Sequence, residues 1–203
     1  MAMTITYEFD GALYVNFTNR CCNDCTFCLR NNHDNVNGKD NLWLDHEPTI
    51  EEITADFEKR DMSQYEWIVF CGYGEPLMRF DICIETAKWL KTNYPDLKIR
   101  VNTNGQASLI EGYDVTPKLE GIIDAISISL NAPTAKQYDT LCRSAFGEAA
   151  FEALLDFAKR AKAFVPSVTL SVVDHDLTKE EISICKKLAD GCGVSFRVRK
   201  YIE

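Results

Sequence analysis

From Trp67 onward the chain alternates short apolar, β-prone runs with longer amphipathic ones, and no other feature restricts its fold so much. The β-prone runs are Trp67–Cys71, Lys98–Asn102, Asp124–Leu130, Ser167–Val173 and Val194–Arg199. Between them lie helical stretches at Asp81–Tyr94, a looser segment ending near Lys118, Thr134–Leu141 with Gly147–Phe164, and Thr178–Asp190. Parallel strands need long crossovers, usually helical, so the alternation predicts a parallel sheet with right-handed connections. Upstream, Thr4–Phe9 and Ala12–Thr18 flank Asp10-Gly11, a dipeptide suited to a two-residue turn, which predicts an opening hairpin. Thr49 with Glu52 has capping-box spacing and predicts a helix to about Arg60, whereas the Asn- and Asp-rich Arg30–His46 predicts an irregular loop. With the second hairpin strand the parallel set numbers six, so the expected fold is α/β, a partial (β/α)6 TIM-like barrel with an N-terminal hairpin strand.

The faces of these strands differ. Leu13, Val15 and Phe17 alternate with Tyr14, Asn16 and Thr18; Ile99 and Val101 with Arg100 and Asn102; Ile126, Ile128 and Leu130 with Ser127, Ser129 and Asn131. If helices coat the apolar face, the polar face lines the interior, which predicts a wet cavity for a polar ligand. The alternative is a sheet with one solvated face.

The strand Ala12–Thr18 runs into Cys21-Cys22-Asn23-Asp24-Cys25-Thr26-Phe27-Cys28, four thiols within eight residues. Two registers are open: Cys21, Cys25 and Cys28, spaced C-x3-C-x2-C, or Cys22, Cys25 and Cys28. Three thiolates on a [4Fe–4S] cluster leave one iron for a further ligand. Structural zinc wants four closed ligands, and no second C-x2-C is present to complete them. Nine cysteines are an odd number and no signal peptide is evident, so a reducing compartment is expected rather than disulfides. Cys71, Cys83, Cys142, Cys185 and Cys192 are expected to be small buried hydrophobes.

Further polar groups fall just after the strands. Gly72-Tyr73-Gly74-Glu75-Pro76 follows the second parallel strand, and its glycines permit positive φ and close backbone approach. Asn102-Thr103-Asn104-Gly105 and Ser127–Pro133 follow the next two. Ligands of parallel α/β sheets bind beyond the carboxyl ends of the strands, although each segment alone reads equally as a turn. Glu75 and Asn131 are expected at some distance from the cysteine loop. Arg197 and Arg199 share a face of the last strand, and Arg199 is expected to bind an anionic group; the alternative is an exposed or internally paired arginine.

Length and composition bound what remains. A chain of 203 residues, 46% hydrophobic, supports one core, so residues 1–203 are expected to be a single domain. No apolar run is long enough to span a bilayer, and a soluble, cytoplasmic protein is expected. A net charge of −9 argues against broad nucleic-acid binding.

The cysteine run, with aromatic Phe27 before Cys28, resembles the signature of the radical SAM superfamily, and that resemblance selects Cys21, Cys25 and Cys28. Gly72-Tyr73-Gly74-Glu75-Pro76 is similar to the superfamily's GGEP motif with Tyr73 interposed, which implies that Gly72, Tyr73, Gly74 and Glu75 receive the amino group of S-adenosylmethionine (SAM). Asn102, Asn104, Ser129 and Asn131 are implied to bind ribose and the methionine carboxylate, and Phe27 to shield the cluster and touch adenine; the anionic group expected on Arg199 from its strand face would then belong to SAM or substrate. The run C-x3-C-x2-F-C-x-R through Arg30, in so short a chain, resembles the small radical SAM proteins associated with TatD-type nucleases.

The resemblance implies a [4Fe–4S] cluster, SAM, and a low-potential donor such as flavodoxin or ferredoxin. It implies reductive cleavage of SAM to a 5′-deoxyadenosyl radical that takes hydrogen from an unidentified small-molecule or protein substrate. A functional link to a TatD-type nuclease follows from the subgroup. A competing expectation is an iron–sulfur electron-transfer or regulatory module that binds a partner without turnover.

Overall fold

The computed structural model describes residues 3–31, 33, 39–175 and 177–201. Its opening hairpin pairs β1 (Thr6–Phe9) with β2 (Ala12–Val15) antiparallel. Asp10 and Gly11 both adopt positive φ, +48° and +74°, the type I′ geometry that matches strand twist.

Beyond the hairpin the sheet grows one strand at a time: β3 (Trp67–Phe70), β4 (Lys98–Thr103), β5 (Ala125–Ser129), β6 (Ser167–Val173) and β7 (Ser195–Arg199), each parallel to its predecessor. Spatial order equals chain order, and β1 and β7 remain unpaired edges of one seven-stranded sheet. The expected six parallel strands and partial, unclosed barrel are therefore observed.

Helices supply the crossovers: α1 (Ile50–Glu58), α2 (Phe80–Asn93), the short α3 (Ala107–Glu111), α4 (Ala135–Cys142), α5 (Ala149–Ala161) and α6 (Lys179–Cys192). The Thr49–Glu52 capping box is formed, and Thr178 with Glu181 builds a second one on α6. The main core lies between these helices and one sheet face, where Leu13, Val15, Ile68, Phe70, Ile99 and Val101 meet Phe57, Leu90, Leu154 and Phe157.

The opposite face is not uniformly polar. Tyr7, Tyr14, Val69 and Tyr73 pack with Leu42 into a second apolar cluster at the hairpin end. Asn102, Ser127, Ser129 and the arginines occupy the remainder, so polarity is confined to the β4–β7 side. Of the Arg30–His46 stretch, residues 32 and 34–38 lie outside the described residues; residues 39–46 are irregular as expected, yet Leu42 and Leu44 are buried.

Candidate functional site

The cysteine loop leaves β2 with its base pinned by side chains. Asn16 Nδ2 donates to the Leu42 carbonyl at 2.6 Å, and Thr18 Oγ1 donates to Glu47 Oε1 at 2.6 Å. Arg20 adds a two-point contact to the same carboxylate, at 2.6 and 3.0 Å. Burial alone would raise the Glu47 pKa, but these hydrogen bonds and the Arg20 and Arg79 charges outweigh it and hold the carboxyl below its usual range.

The tip of the loop rests on the end of α4. Asp24 N–H donates to the Cys142 carbonyl at 3.0 Å, Thr26 N–H to the Leu141 carbonyl at 2.9 Å and Ala145 N–H to the Cys22 carbonyl at 2.8 Å. Behind it lies a buried polar network that local sequence patterns do not reveal. Gln106 Nε2 donates to Asn23 Oδ1 and to Tyr138 Oη, both at 2.9 Å, and Ser144 Oγ donates to Gln106 Oε1 at 2.7 Å. A fully satisfied network of this kind rigidifies what it holds, here the backbone carrying the thiols.

The glycines of the next motif act by close approach and not by positive φ, which corrects half of the expectation, since neither is among the positive-φ residues. A Cβ on Gly74 would stand 2.2 Å from the Thr18 carbonyl oxygen and 2.5 Å from that of Arg20. A Cβ on Gly72 would stand 2.0 Å from Asn16 Oδ1. The backbone there lies against the base of the cysteine loop, and Glu75 N–H donates to the Arg20 carbonyl at 2.8 Å. Glu75 is therefore beside the cysteine loop and not remote from it.

The Glu75 side chain, only 5% exposed, ties the turn after β3 to the end of β4. Oε1 accepts from Leu77 N–H at 3.1 Å and Thr103 Oγ1–H at 2.7 Å, and Oε2 accepts from Asn104 N–H at 2.7 Å. Burial and the nearby Cys21 thiolate nevertheless push its pKa up to about 7 against those donors. A carboxylate accepts about four hydrogen bonds, so one acceptor position is left, on Oε2.

The paired thiols at the loop's start behave differently. Cys21 accepts a hydrogen bond from the Cys22 thiol, and with the Asn23 N–H and the Arg30 charge this brings Cys21 down to about 6 despite its burial. Cys22 is pushed up as the donor of that pair. The Cys22 sulfur also accepts from Asn104 Nδ2 at 3.0 Å and lies 3.5 Å from Gln106 Oε1. Cys25 is raised by its contact with the Cys142 thiol and by burial, and burial raises Cys28.

A cavity of about 290 Å³ opens between this loop and the carboxyl ends of the strands. Cys21, Cys25, Phe27 and Cys28 form one wall, whereas Cys22 is not among the lining residues. Gly72, Tyr73, Gly74 and Glu75 form the next wall, and Asn102, Asn104, Ser129, Asn131 and Arg199 line the cavity from β4, β5 and β7. All the site residues expected from the sequence thus meet in one place. The Tyr73 hydroxyl donates to the His33 carbonyl, and its ring meets Trp43 edge-on. Cys71, expected in the core, lines the cavity instead, while Cys83, Cys142, Cys185 and Cys192 are buried as expected.

The donor set suits a thiolate-held cluster with SAM beside it. Asn102 Oδ1, Asn131 Oδ1 and Arg199 Nε are buried without a hydrogen-bond partner among the described residues, and such atoms call for one. A ligand bearing hydroxyls, an ammonium and a carboxylate supplies both the donors and the acceptors. Among the described residues no three His, Cys, Asp or Glu side chains already converge as a metal site. Cys25 is in contact with the Cys142 thiol.

The family model described as the Radical SAM superfamily matches residues 15–188. No curated protein matches the sequence. Among solved structures, TYW1 with a lysine-pyruvate adduct bound superposes with a TM-score of 0.64 at 15% identity, over 95% of this chain and 65% of that one. Streptococcus suis SuiB bound to S-adenosylmethionine gives 0.66 at 17% identity, over 94% of this chain and 38% of that one. A radical SAM methyltransferase from Sphaerobacter thermophilus gives 0.61 at 15% identity, over 96% of this chain and 68% of that one. At such identities the likeness is one of fold, and this chain spans less than two thirds of the first two proteins' length.

Proposed function

Because the chain belongs to the radical SAM superfamily, matched across residues 15–188, whose members are enzymes using a [4Fe–4S] cluster and SAM, we propose that it holds such a cluster through Cys21, Cys25 and Cys28 and turns over an as yet unidentified substrate. The observation that carries this reading is the convergence of the three thiols, Glu75 and the strand-end amides on one cavity. When bound, the two cofactors supply an electron and the 5′-deoxyadenosyl group that takes a hydrogen atom from the substrate.

The protein's own part is to bind, orient and shield. The Cys22 thiol, the Asn23 N–H and the Arg30 charge all favour the thiolate form of Cys21, the form in which a cysteine binds iron. The free acceptor position on Glu75 Oε2 suits the SAM ammonium, and the backbone of Gly72-Tyr73-Gly74 runs beside it. Asn102, Asn104, Ser129 and Asn131 serve the ribose and carboxylate, while Phe27 covers the cluster and keeps water from it. Arg199 faces the same space with a guanidinium suited to a carboxylate or phosphate.

The finer assignments belong to the same proposal. The Cys21–Arg30 run supports placement among the TatD-associated proteins and a functional link to such a nuclease. A flavodoxin or ferredoxin as donor, a cytoplasmic location and a single domain over residues 1–203 complete it. No helix among the described residues is long and apolar enough to cross a membrane.

An electron-transfer module would close all four iron positions with protein ligands, whereas three cysteines leave one for SAM. Adding SAM to the reduced, reconstituted protein is expected to change the EPR spectrum of the cluster. A spectrum indifferent to saturating SAM would favour the electron-transfer reading.

A further inference from the structure

Three arginines on the inner face of the sheet lack what every other arginine of the chain has. Arg20, Arg30, Arg60, Arg79, Arg143 and Arg160 each lie 3.9 Å or less from a carboxylate. Arg100, Arg197 and Arg199 make no ion pair among the described residues, in a chain whose net charge is −9. Their contacts are to neutral hydroxyls: Arg100 Nη2 donates to Tyr14 Oη at 3.2 Å, Arg197 Nη2 to Ser127 Oγ at 3.2 Å and Arg199 Nη2 to Ser129 Oγ at 3.4 Å. The Nε atoms of Arg100 and Arg199 are buried with no hydrogen-bond partner among the described residues. Holding the Arg100 and Arg199 guanidiniums partly desolvated without a counter-charge is costly, the exposed Arg197 adds a third positive charge beside them, and an anion seated there would offset the cost.

Arg100 and Arg197 line a second cavity, of about 390 Å³, with the hydroxyls of Ser127, Thr169 and Ser195 and the indole of Trp67; among the described residues no carboxylate lines it. It lies at the amino ends of the strands, since Trp67 and Ser195 begin β3 and β7. The cysteine-lined cavity is at the opposite ends. The two are joined along β7, where Arg197 borders one and Arg199 the other.

We infer that Arg100 and Arg197, with the hydroxyls around them, form a subsite for an anionic oxygen group, phosphate or carboxylate, carried by the substrate. Along β4, Arg100 and Asn104 are separated by four residues, about 13 Å at ~3.3 Å per residue. The substrate is accordingly an elongated anion whose charged group sits several bonds from the carbon that reacts in the upper cavity. That last step rests on the function proposed above, but anion binding by the two arginines does not.

The test uses the full chain without cluster or SAM, so failure to bind anions and failure to cleave SAM are separate results. Inorganic phosphate, pyrophosphate and malonate are titrated at fixed ionic strength, read by calorimetry and by tryptophan fluorescence, to which Trp67 contributes. Saturable binding is expected, weakened about tenfold or more in Arg197→Gln and in Arg100→Gln and unchanged in Arg160→Gln. Tighter pyrophosphate than malonate identifies a phosphate-bearing substrate, and the reverse order a carboxylate. Arg197 is exposed on an edge strand, so its variant decides the matter even if Arg100→Gln fails to fold. Absence of saturable binding, or equal affinities in wild type and Arg197→Gln, overturns the inference.

Discussion

At the scale of single residues, the two adjacent cysteines are the sharpest division in the site. Cys21 faces the cavity as the low-pKa member of the pair, and Cys22 faces Asn104 and Gln106. Cys22→Ala is expected to reconstitute with wild-type iron content, whereas Cys21→Ala, Cys25→Ala and Cys28→Ala each lose the cluster; iron analysis with visible absorption reads this out. The reverse result for Cys21 and Cys22 would move the ligand set by one residue. Glu75 requires a gentler probe than alanine, because alanine would strand the Leu77 N–H, the Thr103 hydroxyl and the Asn104 N–H inside the fold. Glu75→Gln keeps the shape and removes the charge. It is expected to weaken SAM binding by about 1.5–3 kcal/mol in calorimetry, the worth of a charge-assisted hydrogen bond, with iron content little changed. Unaltered SAM affinity would leave Glu75 as a tie between β3 and β4. The sequence made Glu75 visible as a carboxylate after a strand, but not its three donors, two of which come from the end of β4.

Elements meet most closely where the turn after β3 lies against the loop after β2. Gly74→Ala would drive a methyl group into two carbonyl oxygens, both backbone and neither free to rotate away. It is expected to destabilise the protein by about 1–3 kcal/mol in thermal or denaturant unfolding, the usual cost of overpacking, and to lower cluster retention with it. Wild-type stability would mean that the loop base is looser than described. The alternation of strand and helix was legible because each element has its own period, and the Thr49–Glu52 capping box stands within four residues of sequence; the Thr178–Glu181 box has the same spacing but was not read as one. Strand ends were less so. The expected strand Ala12–Thr18 stops at Val15; Asn16 N–H still donates to the Ile5 carbonyl at 2.8 Å, but the Asn16 and Thr18 side chains turn to Leu42 and Glu47. The network of Asn23, Gln106, Tyr138 and Ser144 had no local signal at all, its hydrogen-bonded pairs lying as much as 115 residues apart.

Across the whole molecule, one sheet face meets the helices and the other is divided among an aromatic cluster, a cysteine-lined cavity and an arginine-bearing trough. The polar interior was legible from residue alternation in β4 and β5. Its filling by Tyr7, Tyr14 and Tyr73 at the hairpin end was not, because tyrosine suits either environment and the buried Leu42 that completes the cluster comes from an irregular segment. The central claim is that the upper cavity brings SAM to a cluster with an open iron position. It is tested most directly by reconstituting the chain anaerobically, reducing it with dithionite in the presence of SAM, and measuring 5′-deoxyadenosine and methionine by chromatography. The account predicts both products in equal amounts from the wild-type chain and none from Cys21→Ala. An intact, reducible cluster that yields no 5′-deoxyadenosine at saturating SAM would contradict it.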